Sequence, residues 1–267
     1  MKKTLIFVHI PKTAGTTFAR ILRLNYFLWR KDRVYWKDYQ MTKPIDQMSQ
    51  KECNKLDVIH GHLSFGIHEY LDKPFHYVTF LRDPVKRVIS FYNHILSHPN
   101  HYLYEEVAVS GMSISDFIDS GLTQELDNLQ VRMLQGDEHA IPYGEVNASH
   151  LSLAKDNIER YFPVVGLTEY FDESIYLIRK HLWKLIPYYV ISNRNTLNNQ
   201  DVAIEIKQKI REQNRYDIEL YEWAKARLFA QLDDGDQQKM KRSLWKYQKE
   251  NQIFRSIIRF LPVYKNF

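Results

Sequence analysis

The chain has 267 residues, of which 44% are hydrophobic and 26% are charged, values that fit a globular protein with one sizeable core. Its net charge of +5 is concentrated at one end. Residues 236–267 carry eight Lys or Arg and two acidic residues, +6 in sum, which leaves −1 for residues 1–235. A near-neutral body excludes a nucleic-acid-binding protein, so no nucleic acid is expected as a partner.

Cysteine content and hydropathy indicate in which cellular compartment the protein is expected. The single cysteine, Cys53, excludes an intrachain disulfide, and we interpret it as a structural or surface thiol without a catalytic role. No apolar run approaches the ~20 residues that cross a bilayer. Cleaving the N-terminus as a signal peptide would remove the loop described next. A cytoplasmic location is therefore the simplest expectation.

The first predicted strand, Thr4–His9, turns into a helix that reaches about Leu24. Unpaired N–H groups at the start of a helix form, together with its dipole, a site for anions. Lys12 adds positive charge there, and Gly15 allows a ligand to approach closely. The lysine precedes the only glycine, whereas a Walker A loop places it after the second glycine. The candidate anion-binding residues are Pro11, Lys12, Thr13, Ala14, Gly15, Thr16 and Thr17.

The next stretch, residues 25–56, shows no clean period and is predicted as loop and short helix. Asp57–His60 is the second predicted strand, and it leads into His60-Gly61-His62. Alternate residues of an extended chain share a face, so this histidine pair could hold a metal ion. No third ligand with clear spacing accompanies the pair, and a structural histidine is the alternative, so we expect no metal.

The third predicted strand, Phe75–Leu81, ends at Arg82. Asp83 and Pro84 suit the N-cap and the first position of a helix. In that helix Arg87 is predicted as a solvated residue of the outer face. The buried face is predicted from apolar side chains at helical spacing, which are Val88, Phe91, Tyr92 and Ile95.

Later elements continue the alternation of strands and helices. A strand at Phe162–Leu167 is predicted, and Asp217 is the predicted N-cap of a C-terminal helix that ends near Gln231. Such alternation predicts an α/β fold, a P-loop-like central parallel sheet flanked by helices. The other predicted helices begin or lie at Ser113–Ile118, Asp127–Leu134, Phe171–Leu185 and Val202–Arg211.

Polar side chains therefore follow three predicted strands, in the Lys12 loop, at His60-Gly61-His62 and at Arg82. In a parallel sheet, ligands collect at the carboxyl ends of the strands. Arg82 presents a planar fork of donors and Ser90 a hydroxyl, and both suit phosphate oxygens. This edge is predicted to bind a phosphorylated ligand.

Two motifs carry a family resemblance. The order Pro11-Lys12-Thr13-x-Gly15-Thr16-Thr17 resembles the 5′-phosphosulfate loop of sulfotransferases that use 3′-phosphoadenosine 5′-phosphosulfate (PAPS). The R-D-P-x-x-R-x-x-S pattern that starts at Arg82 and ends at Ser90 resembles their 3′-phosphate segment. The chain looks most similar to carbohydrate O-sulfotransferases of the heparan sulfate 2-O and 6-O types and to their bacterial relatives.

The resemblance implies roles for particular residues. In the 2-O type a similar His-Gly-His segment supplies the general base, which implies His62 as base and His60 as its supporter or a substrate contact. It also implies Lys12 as the group that stabilises the transferred sulfonate. Asn128-Leu129-Gln130-Val131-Arg132 resembles a segment of bacterial members near donor or acceptor, which makes Arg132 a candidate cofactor contact. The alternative is a set of polar residues on a solvated helix.

The function implied is transfer of a sulfuryl group from PAPS to a carbohydrate hydroxyl by in-line displacement, with adenosine 3′,5′-bisphosphate (PAP) as product. A P-loop-like nucleotide kinase is one alternative, which the misplaced lysine disfavours. A non-catalytic nucleotide- or glycan-binding protein of the same fold is another. The sequence predicts neither the identity of the acceptor nor the oligomeric state.

The domain is predicted to span residues 1–235, followed by a basic amphipathic helical extension, 236–267. Arg255 and Arg259 interrupt its apolar residues, a pattern that fits docking on the domain, on another subunit or at an anionic membrane surface. Docking on protein, either this domain or another subunit, is the favoured expectation, and peripheral membrane contact is the alternative. Its apolar residues are Ile253, Phe254, Ile257, Ile258, Phe260 and Leu261.

Overall fold

A sheet of parallel strands organises the computed structural model, which describes residues 3–27, 34–36, 43–137, 139–182, 186–190, 202–233 and 237–258. Every pairing among the described strands is parallel, in the order β2-β3-β1-β4-β5. The predicted α/β class with a parallel central sheet is confirmed. The strands are β1 (Thr4–Val8), β2 (Val34–Trp36), β3 (Val58–Gly61), β4 (Phe75–Leu81) and β5 (Val164–Leu167).

Strand composition explains the layered architecture. β1 lies at the centre of the sheet and all five of its residues are buried, so its apolar run meets helices on both faces. The edge strand β2 is additional to the predicted elements, because three residues paired to a single neighbour are too short to show a pattern.

The helices flank this sheet and match most of the predicted ones. α6 is additional, and the predicted N-cap of α3 is confirmed, because the Asp83 carboxylate accepts a hydrogen bond from the backbone N–H of Lys86 at 2.9 Å. The α-helices of the described residues are α1 (Gly15–Leu22), α2 (Gln50–Cys53), α3 (Pro84–Ser97), α4 (Ile114–Asp119), α5 (Leu129–Gln135), α6 (Ala148–Tyr161), α7 (Phe171–Leu182), α8 (Ile204–Gln213), α9 (Arg215–Asp233) and α10 (Gln237–Ile258).

Two charged residues, Arg87 and Asp217, have other surroundings and partners than the sequence predicted. Arg87 is fully buried, not solvated, and its guanidinium donates to the backbone carbonyl of Glu125. Asp217 is not an N-cap, because α9 begins two residues earlier. Its buried carboxylate instead accepts from the backbone N–H groups of Gln130 at 3.1 Å and Val131 at 2.8 Å, at the N-terminus of α5. The charge of Asp217 also acts on the guanidinium of Arg87.

Asn128 joins α5 to α9. Its backbone is left-handed, with φ of 47°, and its side chain is buried. The side-chain oxygen accepts from the N–H groups of Tyr216 and Asp217 at 3.0 and 3.1 Å, and the amide nitrogen donates to Asp127 at 2.7 Å. This segment is therefore a buried connector, and the prediction of a solvated helix face is wrong for it.

The tail helix α10 packs on the domain. Tyr247 and Asn251 are buried on its inner side, whereas Ile253 and Ile257 are 59% and 58% exposed. Residues 237–258 thus dock on the domain, with Tyr247 in the main core and Met240 and Leu244 packed against it. Residues 259–267 lie outside the described residues, and the boundary at residue 235 stays a prediction. Among the helices that the structure describes, none is long and apolar enough to cross a membrane.

We expect Asp217→Ala to lower the free energy of unfolding by about 3–5 kcal/mol, because it leaves the Arg87 charge buried and the α5 amides without their acceptor. Urea unfolding followed by circular dichroism measures the change. The control is Glu219→Ala, whose carboxylate is 61% exposed and pairs with Lys155, and it should cost less than about 1 kcal/mol. Equal losses in both variants would contradict the buried role of Asp217.

Candidate active site

A cavity of about 870 Å³ opens at the carboxyl ends of the strands. Its walls come from the turns after β1, β3, β4 and β5, and from α3 and the segment before α5. This is the place where a parallel sheet gathers ligands. Lys12, His62, Arg82 and Ser90, predicted from three separate stretches of sequence, all line it.

The turn from β1 into α1 is held in an unusual conformation. Lys12 and Ala14 are both left-handed, with φ of 67° and 64°. A non-glycine residue in that region costs about 1–2 kcal/mol, so other contacts must hold the turn. One of them is the Thr13 hydroxyl, which donates to the carbonyl of Ile10 at 2.8 Å. The Thr13 side chain is therefore buried in the loop and lies outside the cavity lining, so this candidate residue uses its hydroxyl to brace the turn.

The same turn presents the N-terminus of α1 to the cavity. The N–H groups of Thr17 and Phe18 already bond to the carbonyl of Ala14, at 3.0 and 3.3 Å. The amides before Thr17 stand at the positive end of the helix dipole, where an anion is stabilised. The residues of this turn that line the cavity are Pro11, Lys12, Ala14, Gly15, Thr16 and Thr17.

Gly15 is required by a neighbouring ring as well as by any ligand. A Cβ at this position would lie 1.8 Å from Cδ2 and 2.0 Å from Nε2 of His9. The His9 ring cannot move aside easily, because it stacks between His60 and His62, with centroid distances of 5.3 and 4.5 Å. Packing against His9 is therefore a second reason for glycine at position 15, besides the predicted close approach of a ligand.

His62 is oriented by the backbone. Its Nδ1 lies 2.8 Å from the carbonyl oxygen of His9. A carbonyl only accepts hydrogen bonds, so Nδ1 is the donor, and in a neutral ring the lone pair is then on Nε2. The His62 ring lines the cavity.

His60 does not share that position. It is 2% exposed within β3, outside the cavity lining, and stacks on Phe7 at 5.0 Å and on His9. Burial, followed by the charges of His62 and Arg23, lowers its pKa to about 3. The predicted substrate contact therefore does not fit His60, and its role as a supporter of His62 stays a prediction; the ring of His9 stacks on both histidines. Among the residues that the structure describes, no group of three or more His, Cys, Asp or Glu is arranged to hold a metal ion.

Arg82 and Lys12 are brought together. Nη1 of Arg82 donates to the carbonyl oxygen of Lys12 at 2.9 Å, so the strand-end arginine braces the left-handed turn. Burial, and next the nearby charge of Arg82, lowers the pKa of Lys12 to about 8. Nε of Arg82 is buried and has no hydrogen-bond partner within the described part of the chain. Two cationic side chains thus line one cavity, a combination suited to a polyanion.

Arg132 is not part of this group. Its side chain is fully buried and outside the cavity lining. The guanidinium forms an ion pair with Asp127 and also donates to the carbonyl of Pro142 at 2.8 Å. The prediction that Arg132 contacts the cofactor is therefore wrong, because its donors hold the chain around α5 instead. Gln130 is the residue of this segment that serves the site, as it bonds to the backbone of Arg82.

Sequence reasoning missed two walls of the cavity. On the β5 side, Thr168, Phe171 and Tyr189 line it, and on the α3 side, His94 and His101 do. Thr168 follows a predicted strand directly, so the rule that selected the other strand ends could have found it. No local signal marks Tyr189, which reaches the cavity from a segment far along the chain.

Comparisons with known proteins agree with these motifs. A family model described as "Sulfotransferase family" matches residues 1–224. The chain is similar to heparan-sulfate 6-O-sulfotransferase 2 of Gallus gallus, at 25% identity over 94% of this chain and 73% of that protein. It is 27% identical to heparan-sulfate 6-O-sulfotransferase 3 of Mus musculus, over 84% of this chain and 57% of the relative. It is also 27% identical to heparan-sulfate 6-O-sulfotransferase 1 of Homo sapiens, over 83% of this chain and 64% of that protein. The chain thus spans less than two thirds of the mouse and human relatives.

We expect Gly15→Ala to destabilise the fold by about 1–3 kcal/mol, because the added methyl overlaps the His9 ring. Urea unfolding measures the loss. The matched comparison introduces the same change into a His9→Ala background, where the ring is absent and the added cost should fall below about 1 kcal/mol. An equal cost in both backgrounds would show that His9 is not the reason for the glycine.

Proposed function

This chain belongs to the sulfotransferase family, as its motifs predicted, and we propose that it transfers a sulfuryl group from PAPS to a hydroxyl of a carbohydrate. The observation that carries this proposal is the order of side chains along the sheet edge. His62 follows β3, the Lys12 turn follows β1, Arg82 follows β4 and Thr168 follows β5. Since neighbouring strands lie ~4.8 Å apart, these groups stand in a row.

The row suits a nucleotide that carries phosphate at both ends of its ribose. The amides of the Lys12 turn and the Thr16 and Thr17 hydroxyls would bind the 5′-phosphate, and Arg82 with Ser90 the 3′-phosphate. Arg82 and Ser90 both line the cavity, and a guanidinium binds phosphate oxygens through charge-assisted hydrogen bonds. The base and ribose would then point to the β5 side of the cavity. His62, on the opposite side of the Lys12 turn, would face the group to be transferred.

The reaction follows from these positions. A hydroxyl oxygen of the acceptor forms a bond to sulfur while the bond between sulfur and the phosphate oxygen breaks. The hydroxyl proton goes to Nε2 of His62, and the electron pair of the broken bond stays on the phosphate of the leaving PAP. Lys12 stabilises the negative charge that develops on the bridging oxygen. His62 and Lys12 are thus the proposed catalytic residues, and His60 supports His62 from within the sheet.

The wall formed by His94 and His101 is the proposed acceptor side. The backbone N–H of Leu103 lies 3.2 Å from Nδ1 of His101, so Nδ1 accepts and Nε2 carries the proton. Burial, and next the charge of Lys12, lowers the pKa of His94 to about 4, which keeps this ring neutral. Neutral imidazoles that donate and accept hydrogen bonds are suited to sugar hydroxyls. A carbohydrate, as poly- or oligosaccharide or glycoconjugate, is therefore the proposed acceptor.

The deciding experiment compares ligands and acceptors. We expect calorimetry to show binding of PAP and much weaker binding of ATP, whereas a nucleotide kinase would prefer ATP. An acceptor screen with radiolabelled PAPS should then transfer label to a carbohydrate. Binding of PAP without transfer to any acceptor would favour a non-catalytic nucleotide-binding protein, and failure to bind PAP would overturn the proposal.

Location and membrane contact are separate proposals. A cytoplasmic location and a peripheral contact of residues 236–267 with anionic membrane surfaces both rest on sequence patterns. Cell fractionation addresses the first. Flotation with anionic liposomes, full-length chain against a 1–235 truncation, addresses the second.

We expect His62→Ala to lower kcat by roughly 10²–10⁴-fold while the affinity for PAP stays within about twofold, because only the proton acceptor is lost. Steady-state kinetics and calorimetry measure the two effects. His181→Ala, which removes an exposed histidine of α7 outside the cavity lining, is the matched control and should keep full activity. A fully active His62→Ala enzyme would overturn the assignment of the base.

We expect kcat/KM for PAPS to fall as the pH rises through about 8, because the pKa of Lys12 is lowered to about 8 and its charged form is the active one. Arginine stays charged over this range. Lys12→Arg should therefore shift the alkaline decline to higher pH, whatever its effect on the maximal rate. Lys86→Arg, at an exposed position on α3, should leave the profile unchanged. An identical decline in Lys12→Arg would assign it to another group.

A further inference from the structure

We propose that the C-terminal helix α10 is part of the donor site, where it positions Tyr189 as a wall for the nucleoside of the donor. The family match ends at residue 224, and α10 begins at Gln237, so the family comparison does not describe this helix. The inference rests on the proposed function, because it assumes that the cavity binds PAPS.

Tyr189 lines the cavity on the β5 side, next to Phe171. The two rings meet edge to face, with centroids 4.8 Å apart. Phe171 in turn stacks on Phe80 of β4 at 5.0 Å. The aromatic pair thus rests on the sheet at the end of the cavity that the donor's base would reach, and aromatic rings bind flat bases by stacking.

The backbone of Tyr189 is held by α10 on both sides. Its N–H donates to Oδ1 of Asn251 at 3.0 Å, and its carbonyl accepts from Nε of Arg255 at 3.1 Å. The Arg255 guanidinium also lies over the Tyr189 ring, 4.5 Å from its centroid. Asn251 and Arg255 are one helical turn apart, so a single face of α10 provides both contacts.

The ring is also fixed at its far end. The Tyr189 hydroxyl donates to Oδ1 of Asp172 at 2.7 Å, and Gln248 of α10 donates to the other oxygen of Asp172 at 3.2 Å. The described residues around Tyr189, 186–190, have no helix or strand of their own. Without α10, this segment would lose the partners of both backbone groups of Tyr189. A wall that is already in place lowers the entropic cost of binding, so the helix should contribute to donor affinity.

The test measures PAP affinity in variants at both ends of this connection. Tyr189→Ala should weaken PAP binding roughly tenfold or more by calorimetry, since a stacking surface is lost. Arg255→Ala and Asn251→Ala should also raise KM for PAPS, whereas kcat and the KM for the acceptor should stay within twofold of the values of the unmodified chain. The controls are Arg242→Ala and Gln252→Ala, exposed residues of the same helix, which should bind PAP as the unmodified chain does.

A double variant separates positioning from general stability. In a Tyr189→Ala background, Arg255→Ala should cause no further loss of PAP affinity, because the ring it positions is absent. The rise in Tm that PAP produces in each variant reports binding to folded protein, so a loss of folded protein is not mistaken for a loss of affinity. Two results would overturn the inference: an unchanged PAP affinity in Tyr189→Ala, or a double variant whose loss of affinity equals the sum of the two single losses. The proposed function would still stand in either case, provided that the unmodified chain binds PAP. If the unmodified chain fails to bind PAP, both fall.

Discussion

The site depends on the two hydrogen bonds between the side-chain amide of Gln130 and the backbone of Arg82. The amide oxygen accepts from the Arg82 N–H at 2.9 Å, and the amide nitrogen donates to the Arg82 carbonyl at 3.0 Å. They fix the point where β4 ends and the direction in which the arginine leaves it. Because Arg82 then bonds to the carbonyl of Lys12, the same pair also fixes the turn after β1. Two strand ends are thus aligned through one glutamine.

The arrangement carries an electrostatic cost. Burial, and next the nearby charge of Arg82, disfavours the charged form of Lys12 and lowers its pKa. A left-handed turn and two partly desolvated cations are less stable than a relaxed loop with solvated side chains. Packing elsewhere offsets the cost of this cluster, here through the stacked histidine rings and the buried contacts between α5 and α9. A preorganised positive site stabilises a phosphorylated ligand without rearrangement when the ligand arrives.

Local patterns predicted the parts of the site that are local in the chain. The Lys12 turn, His62, Arg82 and Ser90 follow strands whose apolar runs are plain, and all four line the cavity. Burial was the part that spacing could not predict. Arg132 and His60 have the residue types of ligand contacts, yet one is paired with Asp127 and the other is enclosed in β3. Arg87 and Asp217 looked like a surface residue and a cap because their partners lie far away in sequence.

Tyr189 is the opposite case, a residue that lines the cavity although no sequence pattern predicted it. Nothing in its neighbours marks it, and its role emerges only where α10 returns to α7 and brings Asn251 and Arg255 alongside. A chain whose family motifs are all in its first half can therefore have part of its ligand cavity shaped by its last described helix. Similarity searches that weigh the motifs alone would not register that dependence.

The brace between Arg82 and Lys12 has a consequence for selectivity among nucleotides. In the proposed function, the guanidinium of Arg82 binds a phosphate at the 3′ position of the ribose. The abundant adenine nucleotides of a cell carry phosphates at the 5′ position alone, so each would forgo this charge-assisted contact and bind more weakly. A scarce sulfur donor could then be selected from a pool dominated by energy-carrying nucleotides.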